Sequence, residues 1–513
     1  MTGLGTPGSP GVLLVLDGWG HAPPDRGNAL ALARTPFLDS IRATCPAGLL
    51  QASGEAVGLL PDTVGNSETG HLIIGAGRAL PYDSLLVRQH IDSGAMRGHP
   101  RLNEMCAAAA SADRALHLVG LCSDGQIHSD LNHLGVLLAT AAAHRVPRVW
   151  VHAITDGRDV ADGTAARYLA QVERLMADAG TGRLATVIGR GYAMDKSGRH
   201  DLTEAAVLAM ADGRGLLRHR LREAAENPER GDEWVPPSVL AGTGDRPAAT
   251  MADQDAVLFF NFRSDRVRQL VDGLADHLER TGRKTWLSSL AQYDTRAEVE
   301  PLTRRAGASG GLADELERAR LLSVRIAERE KFEHVTYYLN GRDPRPRATE
   351  EHVRVVADSA PDYRRRPQMG LAQVVDAVCS AATRSDVALV VANLANIDVV
   401  GHTGDLGATV RAAEHTDAAV RRIAAVAGEQ GRWMLAVGDH GNAEQMLQRG
   451  PDGAPLPYGG HTTNPVPVVV TGGAEHIAGR AMAEGGSLAD VAPTVLKLLG
   501  REPGPAMEGS PLL

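Results

Sequence analysis

The chain has 513 residues and a formal net charge of -9 at pH 7, with 43% hydrophobic and 22% charged residues. This length predicts about two to four domains, and the apolar fraction excludes a globally disordered chain. The acidic balance argues against nucleic acid as the main partner, so an anionic substrate needs a local basic cluster.

The cysteines and the N-terminus bear on the cellular compartment. Cys45, Cys106, Cys122 and Cys379 are widely spaced without a C-x-x-C motif, which indicates reduced thiols rather than a disulfide frame or a zinc knuckle. The apolar run Val12–Leu16 is too short for a signal peptide and follows no basic segment. No uninterrupted apolar stretch reaches membrane-spanning length. We therefore expect a soluble, cytoplasmic protein.

Short apolar runs alternate along the chain with longer amphipathic stretches. The predicted strands are Val12–Leu16, Ala115–Cys122, Arg148–Ile154, Leu184–Ile188, Ala256–Phe260, His334–Tyr338, Val387–Asn393, Trp433–Val437 and Val466–Val470. The predicted helices include Asn132–Arg145, Thr164–Ala179, Leu312–Lys331 and Ala408–Gln430. Strands that alternate with helices predict an α/β protein built on parallel sheets.

Three stretches interrupt this alternation. The proline- and glycine-rich segment Asn227–Pro237 is interpreted as a long surface loop. Arg304–Gly311 is interpreted as a hinge or linker, and a further break lies near Arg78–Asp83. Breaks near 80 and 308 would divide the chain into two outer segments and a middle segment.

One serine lies in the glycine-rich stretch V-G-N-S-E-T-G-H-L-I-I-G-A-G-R, which ends at Arg78. Gly65 and Gly70 allow the backbone to take positive φ and to approach a ligand closely. Ser67 could attack an electrophile, but a free serine hydroxyl needs an activator. Thr69 stands where a G-x-S-x-G elbow requires glycine, so that activating motif is absent. The other interpretation is a glycine-rich turn with a helix-capping serine.

Acidic and histidine side chains follow three apolar runs, and one further histidine precedes a strand. They are Asp17, Asp398, His402, Asp439, His440 and His461. Strands of an open α/β sheet present ligands at their carboxyl ends, and mixed oxygen and nitrogen ligands suit Mn²⁺, Zn²⁺ or Mg²⁺. So many ligands predict two ions, and a two-metal site would supply the activator that Ser67 lacks. Any one of these residues could instead be a helix cap or a core histidine.

The middle of the chain carries mostly cationic groups after its strands. They are His128, Arg158, Asp159, Arg190, Lys196, Arg263 and Arg266. Arginine forks bind phosphate and carboxylate bidentately, so this segment is predicted to hold a small substrate with more than one anionic group. Asp159 could act as a general acid/base toward a substrate hydroxyl, or could form an ordinary surface ion pair. Lys331 could stabilise a transferring phosphoryl group.

The motifs, taken together, carry a family resemblance that runs nearly end to end. They read L-D-G-W-G, G-N-S-E-T-G-H-L-I-I-G-A-G-R, S-D-G-x-x-H-S, D-G-R-D-V, N-F-R-x-D-R, E-K-F-x-H-V-T, N-x-D-x-V-G-H-T-G, G-D-H-G-N-A-E and H-T-T-N-P-V-P. In this order they resemble the cofactor-independent (2,3-bisphosphoglycerate-independent) phosphoglycerate mutases of the alkaline phosphatase superfamily.

The resemblance implies an alkaline-phosphatase-like domain at 1–81 and 309–513 with an inserted transferase domain at 82–308. It implies one metal on Asp398, His402 and His461, and a second on Asp17, Ser67, Asp439 and His440. Mn²⁺ is the expected ion, with Zn²⁺, Mg²⁺ or Co²⁺ as alternatives, and 2,3-bisphosphoglycerate is not required.

By the same resemblance, Ser67 takes the phosphoryl group of 3-phosphoglycerate as phosphoserine and returns it to the other hydroxyl. The groups implied to hold the glycerate are His128, Arg158, Asp159, Arg190, Arg263 and Arg266. Asp159 is the implied base, Lys331 steadies the charge, and a monomer without nucleic-acid or membrane partners is expected.

The sequence departs from the family pattern in one stretch. The family usually has G-R-Y-Y-A-M-D-R-D where this chain has G-R-G-Y-A-M-D-K-S, so Gly191 replaces a tyrosine and Lys196 an arginine. His200 and Leu202 replace the usual Trp and Arg. The alternative function is therefore a metal-dependent phosphomutase or phosphatase that acts on a related phosphorylated or phosphonate hydroxy acid.

Overall fold

The computed structural model describes residues 8–195, 197–225, 230–356, 362–450, 453–472, 477 and 480–513. The chain divides into two compact units. The terminal unit comprises Met1–Pro81 and Ala306–Leu513, and the inserted unit is Tyr82–Arg305. Within the described ranges, no helix has both the length and the apolar character needed to cross a membrane.

The strands are numbered in chain order. They are β1 Gly11–Leu16, β2 Ala47–Leu50, β3 Ala115–Leu121, β4 Arg148–Thr155, β5 Arg183–Gly189, β6 Leu216–Arg218, β7 Ser238–Leu240, β8 Ala256–Phe259, β9 Trp286–Ser289, β10 Glu300–Pro301, β11 Leu322–Glu328, β12 Glu350–Val355, β13 Val387–Leu394, β14 Trp433–Gly438, β15 Leu447–Arg449, β16 Pro455–Pro457 and β17 Val466–Gly472.

The α-helices are numbered in the same way. They are α1 Ala29–Leu32, α2 Pro36–Thr44, α3 Ser67–Ala76, α4 Asp83–Asp92, α5 Pro100–Ser111, α6 Leu131–Ala143, α7 Ala165–Ala179, α8 Arg190–Ala193, α9 His200–Asp212, α10 Leu221–Ala225, α11 Arg268–Arg280, α12 Leu312–Arg318, α13 Leu371–Ala382, α14 Asn396–Gly401, α15 Leu406–Glu429 and α16 Val491–Leu498.

The terminal unit is built on a seven-stranded sheet in the order β12-β11-β13-β1-β14-β17-β2. The first five of these strands run parallel, and β17 and β2 add antiparallel pairs at one side. Every residue of β1 is buried, as expected for a parallel strand with helices over both faces. Val12 and Leu14 lie in a core with α13 and α15, whereas Leu13 and Val15 are buried outside that core. The parallel strands therefore bring their carboxyl ends to one edge.

The inserted unit is built on an eight-stranded sheet in the order β10-β9-β8-β3-β4-β5-β7-β6. All neighbours pair in parallel except β5 and β7. Apolar side chains of α6, α7, α9 and α11 join the buried strand residues in one core. The adjacent strands β8, β3, β4 and β5 end at one edge, which is where the cationic residues follow them.

The α/β class with mostly parallel sheets is confirmed. Every predicted strand except His334–Tyr338 coincides with a strand of the structure to within two residues. His334–Tyr338 is a π-helix, so the strand prediction there is wrong. Its β-branched and aromatic residues gave a strand-like pattern, but strand propensity reflects packing on a sheet more than a backbone preference.

Two further predictions are wrong. The predicted helix Leu312–Lys331 ends at Arg318, Arg320 has a left-handed φ of 55°, and β11 follows. Alternating apolar residues around Ser323 and Arg325 are the strand signal that the helix prediction overlooked. The surface-loop interpretation of Asn227–Pro237 also fails in part. Residues 226–229 lie outside the described residues, but Asp232 and Val235 are buried.

Candidate functional site

Ser67 is the first residue of α3 and is buried, with 5% of its surface exposed. The helix cap is Asn66, whose side chain accepts a hydrogen bond from the backbone N–H of Thr69 at 2.9 Å. The interpretation of Ser67 as a capping residue is therefore wrong. At the N-terminus of a ten-residue helix, the helix dipole favours negative charge near the Ser67 hydroxyl.

The glycines around Ser67 provide space rather than an unusual backbone conformation. Neither Gly65 nor Gly70 uses the left-handed φ that glycine permits. A Cβ added at Gly70 would lie 2.6 Å from the carbonyl oxygen of Asp439, and one at Gly65 would lie 2.1 Å from that of Ala52. The absence of side chains lets α3 approach the end of β14, where Asp439 and His440 follow.

One cluster of potential metal ligands contains Asp398, His402 and His461. Asp398 lies in α14 and His402 follows the helix end, so their i,i+4 spacing brings His402 Nε2 to 3.3 Å from Asp398 Oδ1. His461 Nε2 lies 3.4 Å from Asp398 Oδ1 and 3.2 Å from His402 Nε2. The side chain of His402 is 49% exposed, whereas Asp398 is buried. These are the residues predicted to hold one ion.

The other predicted ligands surround Ser67. Ser67 Oγ lies 3.2 Å from Asp17 Oδ1 and 3.0 Å from His440 Nε2. His440 Nε2 also lies 3.4 Å from Asp17 Oδ1 and 3.8 Å from Asp439 Oδ2. Asp398 approaches this cluster as well, because ligand atoms of Asp17, Asp398 and His440 lie within 4.8 Å of one another. The two predicted ligand sets are therefore contiguous.

His71 belongs to the same constellation and was missed in the sequence. Its ligand atom lies within 4.8 Å of those of Asp17 and Asp439. His71 Nδ1 is 2.8 Å from the carbonyl oxygen of Ser67 and 3.3 Å from Asp439 Oδ2. Its Nε2 is 3.1 Å from Asn393 Nδ2, which also donates to Asp17 Oδ2. The available signal was the position of His71, one helical turn after Ser67.

The ammonium group of Lys331 lies among these acidic residues. Its Nζ is 2.6 Å from Ser67 Oγ, 2.9 Å from Asp17 Oδ1 and 2.7 Å from Asp398 Oδ2. Burial opposes the lysine charge, but the nearby carboxylates raise the pKa of Lys331 overall. Burial likewise opposes ionisation of Asp17 and Asp398, yet Lys331 holds the pKa of both carboxyls below the usual range. The carboxylates are thus ionised at neutral pH, as metal ligands must be.

The residues of this site fit divalent metal ions. Asp439 Oδ2 is buried and has no hydrogen-bond partner among the described residues, as expected for an oxygen whose partner is an ion. The donor set is carboxylate oxygen, imidazole nitrogen and a hydroxyl, which suits hard or borderline divalent cations.

The inserted unit brings a second set of predicted residues together, beyond the ends of β3, β4, β5 and β8. Arg190 Nη1 lies 2.6 Å from Asp156 Oδ1 and 2.7 Å from Asp159 Oδ2. His128 Nε2 is 3.9 Å from Asp159 Oδ2. Burial and the charge of Arg190 lower the pKa of His128 to about 4, so its imidazole is neutral at pH 7. Neutral His128 can donate or accept a hydrogen bond.

The remaining arginines of this set contact acidic residues that the sequence did not single out. Arg263 Nε is 3.0 Å and Arg266 Nε is 3.6 Å from the carboxylate of Asp265. Arg158 Nη1 is 3.4 Å from Glu233 Oε1. Asp156, Asp265 and Glu233 were missed because an acidic residue beside an arginine is common on any surface.

The departures from the family pattern fall in the same region. Gly191 lies in α8 directly after Arg190, and His200 and Leu202 lie in the first turn of α9. Lys196, predicted to bind substrate, lies outside the described residues.

Comparisons with known proteins agree over almost the whole chain. A family model described as the BPG-independent PGAM N-terminus matches residues 87–295. A 2,3-bisphosphoglycerate-independent phosphoglycerate mutase of Streptomyces coelicolor is 61% identical over 504 residues, 98% of either chain. One from Synechococcus sp. (strain JA-3-3Ab) is 40% identical over 518 residues, with 98% of this chain and 96% of the relative covered.

A solved structure is similar as well. Crystal structures of Leishmania mexicana phosphoglycerate mutase at low cobalt concentration include a chain that is 30% identical, with a TM-score of 0.62. The match covers 98% of this chain and 97% of that one. With the end-to-end identity to the Streptomyces protein, these likenesses establish that the chain belongs to the 2,3-bisphosphoglycerate-independent phosphoglycerate mutase family.

Proposed function

We propose that this enzyme interconverts 3-phosphoglycerate and 2-phosphoglycerate through a phosphoserine at Ser67, without 2,3-bisphosphoglycerate. The observation that carries the proposal is the surroundings of the Ser67 hydroxyl. Its oxygen lies within hydrogen-bond distance of Lys331, Asp17 and His440 at the start of a helix. A buried serine with this many charged neighbours is suited to accept and release a phosphoryl group.

Two divalent ions are proposed for the terminal unit, one held by Asp398, His402 and His461. The other is held by Asp17, Ser67, Asp439 and His440. Mn²⁺ is the proposed native ion. When bound, the ions stabilise the charge that develops on the serine and phosphoryl oxygens. Lys331 adds a fixed positive charge that stays in place between the two half-reactions.

The inserted unit is proposed to hold the glycerate part of the substrate. In the first half-reaction the Ser67 hydroxyl gives up its proton as Oγ bonds to phosphorus, the bond from phosphorus to the substrate O3 breaks, and O3 gains a proton. In the second half-reaction Asp159 removes the proton of the O2 hydroxyl as O2 bonds to the phosphorus of phosphoserine. The bond from phosphorus to Ser67 Oγ breaks, and Ser67 regains its proton. The groups proposed to bind the substrate anions are His128, Arg158, Arg190, Lys196, Arg263 and Arg266.

The cellular setting is part of the same proposal. We propose that the protein works in the cytoplasm as a monomer, in glycolysis and gluconeogenesis, on a small phosphorylated hydroxy acid. No nucleic-acid or membrane partner is proposed.

A coupled assay tests the proposal. The protein is loaded with Mn²⁺ and given 3-phosphoglycerate, with enolase to report 2-phosphoglycerate and without added 2,3-bisphosphoglycerate. We expect enolase-dependent turnover with little free phosphate. Free phosphate as the main product favours the phosphatase alternative raised by Gly191 and Lys196. Absence of both products from folded, metal-loaded protein contradicts the proposed function.

A further inference from the structure

The four arginines proposed to bind the substrate in the inserted unit all have carboxylate partners. The pairs are Arg158 with Glu233, Arg190 with Asp156 and Asp159, Arg263 with Asp265, and Arg266 with Asp265. Paired charges largely cancel in the summed field that attracts an anion. A substrate with a carboxylate and a phosphate therefore gains most from an additional cation that has no such partner.

Arg230 is a candidate for this additional cation without a carboxylate partner. Its guanidinium carbon lies 4.1 Å from the centre of the Trp234 ring, and the residue is exposed. Among the described residues, Arg230 has no carboxylate within ion-pair distance. Stacking on an indole ring orients a guanidinium while its N–H groups stay available at the edges.

Trp234 lies close to Arg190 and Arg158, two of the arginines proposed to bind the substrate. A Cβ added at Gly191, the residue after Arg190, would lie 2.7 Å from Cε3 of the Trp234 ring. Tyr192 makes an edge contact with the same ring at a centroid distance of 6.0 Å. Glu233, the neighbour of Trp234, contacts Arg158. The indole thus occupies the space that a larger side chain at 191 would need.

The backbone that carries Trp234 is fixed by Asp232. The Asp232 carboxylate accepts hydrogen bonds from the backbone N–H groups of Thr164 and Ala165 at 2.7 and 2.9 Å. Its carbonyl accepts from Thr155 Oγ1 at 2.7 Å, and the N–H of Gly189 donates to the carbonyl of Val235 at 2.8 Å. The segment is therefore tied to the carboxyl ends of β4 and β5, where the substrate-binding arginines begin.

We propose that Arg230, oriented by Trp234, is a further anion-binding residue of the substrate site and binds a carboxylate or phosphate of the hydroxy acid. The inference rests on the proposed function for the identity of that substrate. The Trp234 ring that orients Arg230 fills the space beside Gly191 in this site.

Steady-state kinetics with 3-phosphoglycerate tests the inference, with Arg174→Ala on the exposed face of α7 as a control of equal charge change. Loss of one hydrogen bond to a charged group predicts that Arg230→Ala raises KM by roughly ten- to a hundredfold. Because this contact holds substrate and transition state alike, kcat should change by less than about threefold. Arg230→Lys keeps the charge without the fork and should fall between Arg230→Ala and the parent.

A KM for Arg230→Ala within about twofold of the Arg174→Ala control overturns the inference and leaves the mutase proposal standing. If the parent does not turn over 3-phosphoglycerate, the proposed function fails, and binding then decides the inference separately. Calorimetric titration of 3-phosphoglycerate into Ser67→Ala protein, with and without Arg230→Ala, gives that answer. Weaker binding of 3-phosphoglycerate by the double variant than by Ser67→Ala alone supports the inference. Equal binding by the two proteins, or undetectable binding by both, overturns it.

Discussion

Lys331 places a positive charge among the buried carboxylates of the candidate site in the terminal unit. It contacts Asp17, Asp398 and the Ser67 hydroxyl. In the proposed reaction, its positive charge stabilises the negative charge that moves between the serine and phosphoryl oxygens. We predict that Lys331→Ala lowers kcat by about 10²- to 10³-fold, as loss of one preorganised donor does in other enzymes. Lys497→Ala, an exposed lysine of the same unit, is the control. A kcat within a few-fold of the parent at full metal content would contradict this role.

His440 predicts a specific pH dependence of metal binding. Burial opposes its charge, but Asp439, Asp17 and Asp398 raise the pKa of the metal-free imidazole to about 9. The protonated form therefore stabilises the metal-free fold fully below about pH 6.5, and this stabilisation is lost as the pH rises through 9. A metal ion needs the neutral imidazole, so binding must displace this proton.

We expect Mn²⁺ affinity to rise about tenfold per pH unit between pH 7 and 8.5 for each proton displaced. Calorimetry in two buffers with different ionisation enthalpies measures the protons released. His440→Asn should release fewer protons than the parent. Equal proton release by parent and variant would show that His440 does not bind the ion.

At the level of elements, the contact between α3 and the end of β14 depends on Gly70. A Cβ there would lie 2.6 Å from the Asp439 carbonyl and 2.8 Å from its Cβ. Alanine usually stabilises a helix by about 1 kcal/mol relative to glycine, but overpacking typically costs about 1–3 kcal/mol. We predict that Gly70→Ala lowers the free energy of unfolding and reduces kcat, because Asp439 must move.

Gly428→Ala is the matched control for this substitution. Gly428 lies in α15, and a Cβ there would meet nothing within 4 Å. That variant should gain up to about 1 kcal/mol in urea unfolding. If Gly70→Ala is as stable and as active as Gly428→Ala, the close approach of α3 to β14 is not required.

The elements also show what the sequence can and cannot predict. Strands such as β1 and β13 were predictable because both faces are buried and the apolar run is continuous. The π-helix His334–Tyr338 was not, since its composition is that of a strand. The strand β11 did have a sequence signal, the alternating apolar residues around Ser323 and Arg325, but no glycine or proline stands at the break, where Arg320 adopts a left-handed φ.

The candidate site was predictable where residues follow such strands and unpredictable elsewhere. Asp17 and Asp439 directly follow β1 and β14, so their place at the carboxyl ends of two strands followed from the predicted strands. His71 lies inside a helix, and only tertiary packing brings it to Asp439. Asp232 is buried, and its carboxylate accepts hydrogen bonds from the backbone at the start of α7. These contacts are distant in sequence, so the segment that carries Trp234 looked like an ordinary loop.

At the level of the whole molecule, the proposed metal ligands all belong to the terminal unit. Removal of the metal should therefore destabilise that unit and leave the inserted unit unchanged. A ligand at a thousandfold excess over its Kd stabilises the fold by about 4 kcal/mol. Hydrogen exchange after chelation should show faster exchange in α3 and α14, with unchanged protection in β3 and β4. Equal loss of protection in both units would contradict this separation.

The central claim is that Ser67 carries the phosphoryl group between the two hydroxyls of one glycerate. Rapid-quench trapping with 3-[³²P]phosphoglycerate, followed by peptide mapping of the Mn²⁺-loaded protein, tests it directly. We predict label on the peptide that contains Ser67 during turnover, and neither label nor turnover in Ser67→Ala. Undiminished turnover of Ser67→Ala, or label on a different residue, would contradict it.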